Sequence, residues 1–168
     1  MRPRQWTKNA FVLAAIVFDG QIINAPAVLR SLLGVALFCL LSSAIYIIND
    51  LADIEADRAH PKKRNRPIAS GRLPVRVAIL ATIVLLLISL VGAALLSLNF
   101  LWIALIYLIT NLAYSKWLKH IPLIDVLILA SGFVLRVEAG VSIIEVQRFS
   151  PWLYVVTTLL ALYLGFGK

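Results

Sequence analysis

The sequence predicts an all-α integral membrane protein, a single domain built as a bundle of transmembrane helices. Three observations carry that prediction. Of its 168 residues 61% are hydrophobic and only 14% charged, with a mean hydropathy of +0.93, whereas a water-soluble domain is about half apolar and about a quarter charged. The apolar residues gather in blocks long enough to cross a bilayer core, which takes about 20 residues as a helix. The basic residues fall almost entirely between alternate blocks, the distribution that membrane insertion imposes on short loops facing the cytoplasm.

Six blocks are expected to span: residues 6–23, 27–48, 75–97, 100–114, 123–142 and 152–166. Several are rich in Val and Ile, which favour strands in water. In lipid an open strand leaves its backbone N–H and C=O groups unpaired, so helices are expected instead. The first block is interrupted by Lys8, Asn9 and Asp19 and is expected to lie partly at the interface. Its early polar break, and the lack of a small-x-small site before Pro26, favour a span over a secretory signal. Cys39 sits within an apolar block and says nothing about disulfides.

With these spans, thirteen basic residues share one side: Arg2, Arg4 and Lys8 before or at the start of the first, seven between the second and third or at the start of the third, Lys116 and Lys119 after the fourth, and Lys168 after the sixth. The other side receives Arg30 and Arg148, and Arg136 lies inside the fifth span. This bias places the N terminus and the long loop after residue 48 in the cytoplasm, with the bundle in the plasma (inner) membrane. A net charge of +8 could also suggest nucleic acid, but the basic residues lack the interleaved aromatics that stack on bases, and no nucleic-acid partner is expected.

That loop, NDLADIEADRAHPKKRNRPIASG at residues 49–71, holds the chemistry. If the second helix continues past Ile48, steps of 100° bring Asn49, Asp50, Asp53 and Asp57 within an arc of about 100° and put Glu55 on the opposite side. Three carboxylates on one face repel one another, and a divalent cation would relieve the repulsion. Hard oxygen donors beside open space suit Mg²⁺, which keeps part of its water and binds through a few carboxylates plus substrate phosphates. Lys63, Arg64 and Arg66 would then supply charge-assisted donors to the same diphosphate. The alternative is that acids and bases pair with one another across a solvated loop. An EF-hand is excluded, because DLADIEAD lacks the Gly and the bidentate Glu that its loop requires.

NDLADIEAD resembles the first aspartate-rich motif, NDxxDxxxD, of the UbiA superfamily of intramembrane prenyltransferases. RPRQWTKN at residues 2–9 and HPKKRNRPIASG at 60–71 are similar to the branch that contains the decaprenyl-phosphate phosphoribosyltransferases, as is SGFVLRVEAG at 131–140 with its Arg136. YSKWLKH at 114–120 resembles the superfamily's Tyr-Lys motif, falling on Tyr114 and Lys119. Alone, those two would be an interfacial aromatic and a snorkelling Lys. The resemblance implies a UbiA-type bundle of about nine helices, of which about six are present, so the chain is expected to be an N-terminal part of a larger bundle.

It also implies a site. Asp50, Asp53 and Asp57 would be the catalytic carboxylates, ligating Mg²⁺ together with Asn49, while Lys8, Lys63, Arg64, Arg66, Tyr114 and Lys119 would bind phosphate or diphosphate. The implied reaction moves 5-phosphoribose from phosphoribosyl diphosphate, a soluble sugar diphosphate, to a polyprenyl phosphate lipid. Alternatives are a polyprenyl diphosphate-dependent prenyltransferase acting on an aromatic or other acceptor, and a non-catalytic bundle or transporter. Arg136 receives no role: Asp125 lies about three turns away along the same helix, and Glu138 points elsewhere. His60 and His120 are expected to be local hydrogen-bonding residues.

Overall fold

The computed structural model describes residues 3–116, 122–146 and 151–166. Among them the chain is helical, with no strand: a 3₁₀ helix Pro3–Leu13, α1 Ala14–Phe18, α2 Ala25–Ala52, α3 Ile54–Ala59, a 3₁₀ turn Lys63–Asn65, α4 Val75–Leu96, α5 Leu98–Lys116, α6 Pro122–Val141 and α7 Pro151–Phe166. Thus the Val- and Ile-rich blocks close their hydrogen bonds within themselves, as lipid requires. Helices α2, α4 and α5 are long and apolar enough to cross a membrane.

Local chemistry sets where the helices start and stop. Asn24 caps α2 by accepting the Ala27 N–H at 3.5 Å, and Pro26 occupies its first turn, where a missing N–H costs nothing. At about 1.5 Å per residue α2 is about 42 Å long, more than the roughly 30 Å of a hydrocarbon core, so the helix is long enough to span with residues to spare. Helices α6 and α7 each begin on a proline. Ser97, a single extended residue, joins α4 to α5. At that end of the bundle Arg30 Nη2 donates to the Leu96 carbonyl at 3.1 Å, satisfying an acceptor that the end of α4 leaves open.

Helix α2 packs chiefly on α4 and α6 on α7, with α5 between the two pairs. At the centre Phe38 of α2 meets Phe100 and Tyr107 of α5 with ring centroids 5.5 and 5.3 Å apart. Large apolar side chains such as Leu80, Leu87, Leu95, Trp102, Ile109 and Leu159 face outward. That outer surface carries no penalty in lipid, where helices associate through close packing and internal hydrogen bonds rather than through escape from water.

The first block departs from expectation. It is not one α-helical span: the tight 3₁₀ helix gives way to α1, which ends at Asp19 and at Gly20 with φ +71°. Nor does Asn9 lie at an interface. It is fully buried, its Nδ2 donating to Ser42 Oγ at 3.1 Å and Cys39 Sγ at 3.2 Å on α2, while Trp6 Nε1 donates to Ser43 Oγ at 3.2 Å. Residues 6 and 9 eclipse in a 3₁₀ helix, so one face presents both polar groups to α2. On another side α6 comes so close that a Cβ on Gly140 would stand 2.0 Å from the Val12 carbonyl oxygen. The N-terminal 3₁₀ helix thus packs on both α2 and α6.

Candidate functional site

Helix α2 delivers Asn49 and Asp50 in its last turn and then breaks. It does not continue through Asp57 as the helical wheel assumed: Asp53 closes it in a non-helical conformation, φ −98° and ψ 14°, and α3 starts at Ile54. The break redirects the chain, yet Asp50 and Asp57 remain together. Arg66 Nη1 donates to Asp50 Oδ1 at 3.2 Å and to Asp57 Oδ2 at 2.6 Å, so those two oxygens lie no farther apart than the two bonds laid end to end. Glu55 is exposed and pairs with Arg58 at 3.1 Å on the surface.

Burial distinguishes the two acids. Asp57 is 1% exposed although it lies on a six-residue helix in a charged loop. Without Arg66 its carboxylate would be a nearly dry, uncompensated charge, which is costly. The loop holds Arg66 in place through its neighbours. Ile68 and Ala69 are buried, and Ile68 packs in a cluster with Ala44 and Ile47 of α2 and Ala78 and Leu85 of α4. Arg58 Nε reaches back to the Ala69 carbonyl at 3.3 Å, and Gly71, at φ +77°, takes the left-handed turn that leads the chain toward α4.

The remaining predicted residues divide. Lys63 and Arg64 are exposed on the 3₁₀ turn of the same loop. His60 serves that turn, its Nδ1 accepting the backbone N–H groups of Lys62 and Lys63 at 3.2 and 3.3 Å. Lys8 is exposed on the N-terminal 3₁₀ helix. Tyr114 is engaged by α6, its hydroxyl donating to Asp125 Oδ1 at 2.5 Å. Lys119 and His120 lie outside the described residues.

Asn49 marks a feature that the motif reading missed. Its side-chain oxygen is buried without a hydrogen-bond partner, and the residue borders a cavity of about 400 Å³ between α2 and α5, lined also by Ala52, Ile109, Leu112, Ser115 and Lys116. A buried amide oxygen left unmatched costs free energy until a donor or cation reaches it. Lys116 had been counted only toward topology; no local pattern marks it, because the cavity forms where two helices distant in sequence meet. The donor chemistry suits a hard divalent cation: Asn49 offers an unmatched oxygen, and Asp50 and Asp57 are already held together. As the side chains stand, no three carboxylate, imidazole or thiol groups among the described residues are grouped to hold one ion.

The profile of the UbiA prenyltransferase family matches residues 9–166. The chain belongs to the UbiA prenyltransferase family. It is 38% identical over 173 residues to the decaprenyl-phosphate phosphoribosyltransferase of Corynebacterium glutamicum, covering all of this chain and 52% of that protein. To the enzyme of the same name from Mycolicibacterium smegmatis it is 39% identical over 172 residues, covering 54% of that protein. The chain therefore spans about half the length of these curated relatives. Among solved structures, a UbiA homolog from Archaeoglobus fulgidus bound to DMAPP and Mg²⁺ superposes with a TM-score of 0.78 at 28% identity, over 96% of this chain and 59% of that one. The UbiA fold and the integral-membrane character expected from the sequence are thereby established.

Arg136, which received no role above, is buried within α6. Its Nε donates to Asn9 Oδ1 at 2.9 Å, its Nη1 to the Gly132 carbonyl at 2.6 Å and its Nη2 to the Tyr107 hydroxyl at 2.6 Å. The guanidinium lies over the Tyr107 ring at 4.9 Å. Glu138 and Asp125 are spent elsewhere, on Tyr154 and Tyr114. Arg136 thus ties three elements together through neutral acceptors and an aromatic face.

Proposed function

We propose that this UbiA-family protein contributes the aspartate-rich part of a Mg²⁺-dependent site that transfers 5-phosphoribose from phosphoribosyl diphosphate to a polyprenyl phosphate at the cytoplasmic face of the inner membrane. The observation that carries the reading is the convergence of Asp50 and Asp57 on Arg66 beside the unmatched Asn49 oxygen, in a chain whose whole length aligns with decaprenyl-phosphate phosphoribosyltransferases. The thirteen-to-two distribution of basic residues supports the cytoplasmic orientation.

Asp50, Asp53 and Asp57, with Asn49, would hold the metal; when bound, Mg²⁺ neutralises the diphosphate as negative charge builds on it. The protein's own part is to fix the leaving group and supply cationic donors. Lys63, Arg64 and Arg66, which share one loop, would supply those donors, and Lys8, Tyr114 and Lys119 would complete the phosphate contacts. The bond between the anomeric carbon and the diphosphate oxygen breaks with oxocarbenium character, and an oxygen of the lipid phosphate forms the new bond to that carbon. Since the lipid phosphate is already anionic, no strong general base is required. The cavity walled by Ala52, Ile109 and Leu112 and edged by Ser115 and Lys116 gives an apolar approach beside a charged end, as a lipid phosphate meeting a soluble sugar diphosphate would need.

Replacing Asp53 and Asp57 by Asn in the intact protein and following Mg²⁺-dependent transfer of labelled phosphoribose to a polyprenyl phosphate tests this reading. Turnover at the unmodified rate would remove the metal role. A second reading, transfer of a prenyl group from its diphosphate to an aromatic or other acceptor, is favoured by the likeness to the homolog bound to DMAPP and Mg²⁺. Supplying each donor separately to the purified protein separates the two. Absence of any diphosphate-dependent thermal stabilisation with Mg²⁺ would point instead to a non-catalytic bundle or transporter.

A further inference from the structure

Arg66 serves two acids with a single nitrogen: Nη1 contacts Asp50 Oδ1 and Asp57 Oδ2. Both are carboxylates that the proposed function gives to the metal, so Arg66 and a metal ion compete for the same negative charge. A bare cation entering beside the guanidinium meets its repulsion, while Asp57, with a side chain only 2% exposed, has no water to turn to. A diphosphate changes the balance. It offers Arg66 several anionic oxygens in the planar spacing that a guanidinium fork matches, releasing Asp50 and Asp57 as the metal arrives. Arg66 has room to make this exchange, since its side chain is 26% exposed and the neighbouring Lys63 and Arg64 are exposed on the same loop.

We propose that Arg66 is a specificity-determining residue, admitting the magnesium–diphosphate complex to Asp50 and Asp57 while disfavouring the bare cation. The inference rests on the metal site proposed above and adds to it a coupling: diphosphate tightens metal binding because it relieves Arg66 of its two carboxylates, and by linkage metal tightens diphosphate binding equally.

The test uses the intact protein in lipid nanodiscs and Mn²⁺ as a spectroscopic substitute for Mg²⁺. Binding is followed by electron paramagnetic resonance at equal free Mn²⁺, with and without inorganic pyrophosphate. In the unmodified protein pyrophosphate should tighten Mn²⁺ by about 10-fold or more, within the usual range of coupling between sites. Arg66→Gln should bind Mn²⁺ alone about 10-fold more tightly than the unmodified protein and lose most of the pyrophosphate enhancement. Arg66→Lys, which keeps the charge, should still disfavour bare Mn²⁺, showing that the effect follows charge rather than folding. If the unmodified protein binds Mn²⁺ with pyrophosphate but Arg66→Gln binds bare Mn²⁺ no better, this inference is overturned and the metal site stands. If no form binds Mn²⁺ even with pyrophosphate, the metal site falls and this inference with it.

Discussion

Asn9 Oδ1 accepts the Nε–H of Arg136 at 2.9 Å across 127 positions of sequence, joining the N-terminal 3₁₀ helix to the interior of α6. Both residues looked anomalous in the sequence, a polar break in the first apolar block and a charge inside the fifth. Each is the reason the other is tolerated. The same amide donates to Cys39 and Ser42, and the same guanidinium reaches Tyr107, so this pair fastens α2, α5 and α6 around the N-terminal helix.

Removing both members should therefore cost less than the two single removals added together. Arg136→Leu leaves Asn9 and the Tyr107 hydroxyl with a lost partner each, a loss of about 2–4 kcal/mol. Combining it with Asn9→Leu should cost less than the sum of the single changes, because neither member is then left unmatched. Equilibrium unfolding of the four proteins in mixed micelles measures the coupling; strict additivity would show that the hydrogen bond carries no stability.

The close approach of α6 to the N-terminal helix makes Gly140 sensitive. A methyl group there would meet the Val12 carbonyl at 2.0 Å, and backbone does not step aside cheaply. Gly140→Ala should lose about 1–3 kcal/mol by overpacking. Gly92→Ala is the control: its methyl group would meet the Leu37 side chain at 2.6 Å, which a rotamer change can relieve. A larger loss at Gly92 than at Gly140 would contradict the packing described.

Ile68 plugs the long loop between α2 and α4 two residues after Arg66. Truncation to Ala should destabilise by about 2–4 kcal/mol, the usual cost of a buried aliphatic side chain, and should loosen the hold of Arg66 on Asp57. The expected signature is an added decrease in the thermal stabilisation given by Mg²⁺ and pyrophosphate, with smaller changes for truncation of exposed Val77 on α4.

Tyr114 tests a residue whose expected phosphate contact meets a structural competitor. Its hydroxyl is held by Asp125 at 2.5 Å, so Tyr114→Phe and Asp125→Ala should be coupled by about 1 kcal/mol in a double-mutant cycle of stability. Coupling indistinguishable from zero would mean that the hydroxyl is free for a ligand.

Hydropathy and motif spacing in the sequence determined that this is a helical membrane bundle of the UbiA type, and singled out residues 49–71 as the charged segment on which the proposed function rests. These properties are local: transfer into lipid is favoured or opposed residue by residue, and backbone groups in hydrocarbon have one way to pair within a single segment. Tertiary structure decided what no single segment contains. It broke the helix at Asp53 yet returned Asp50 and Asp57 to one guanidinium, coiled the first block as a 3₁₀ helix, and matched Arg136 with Asn9 and Tyr107. Each outcome depends on how closely two elements approach, which is settled by side-chain volumes and hydrogen-bond partners lying on different helices.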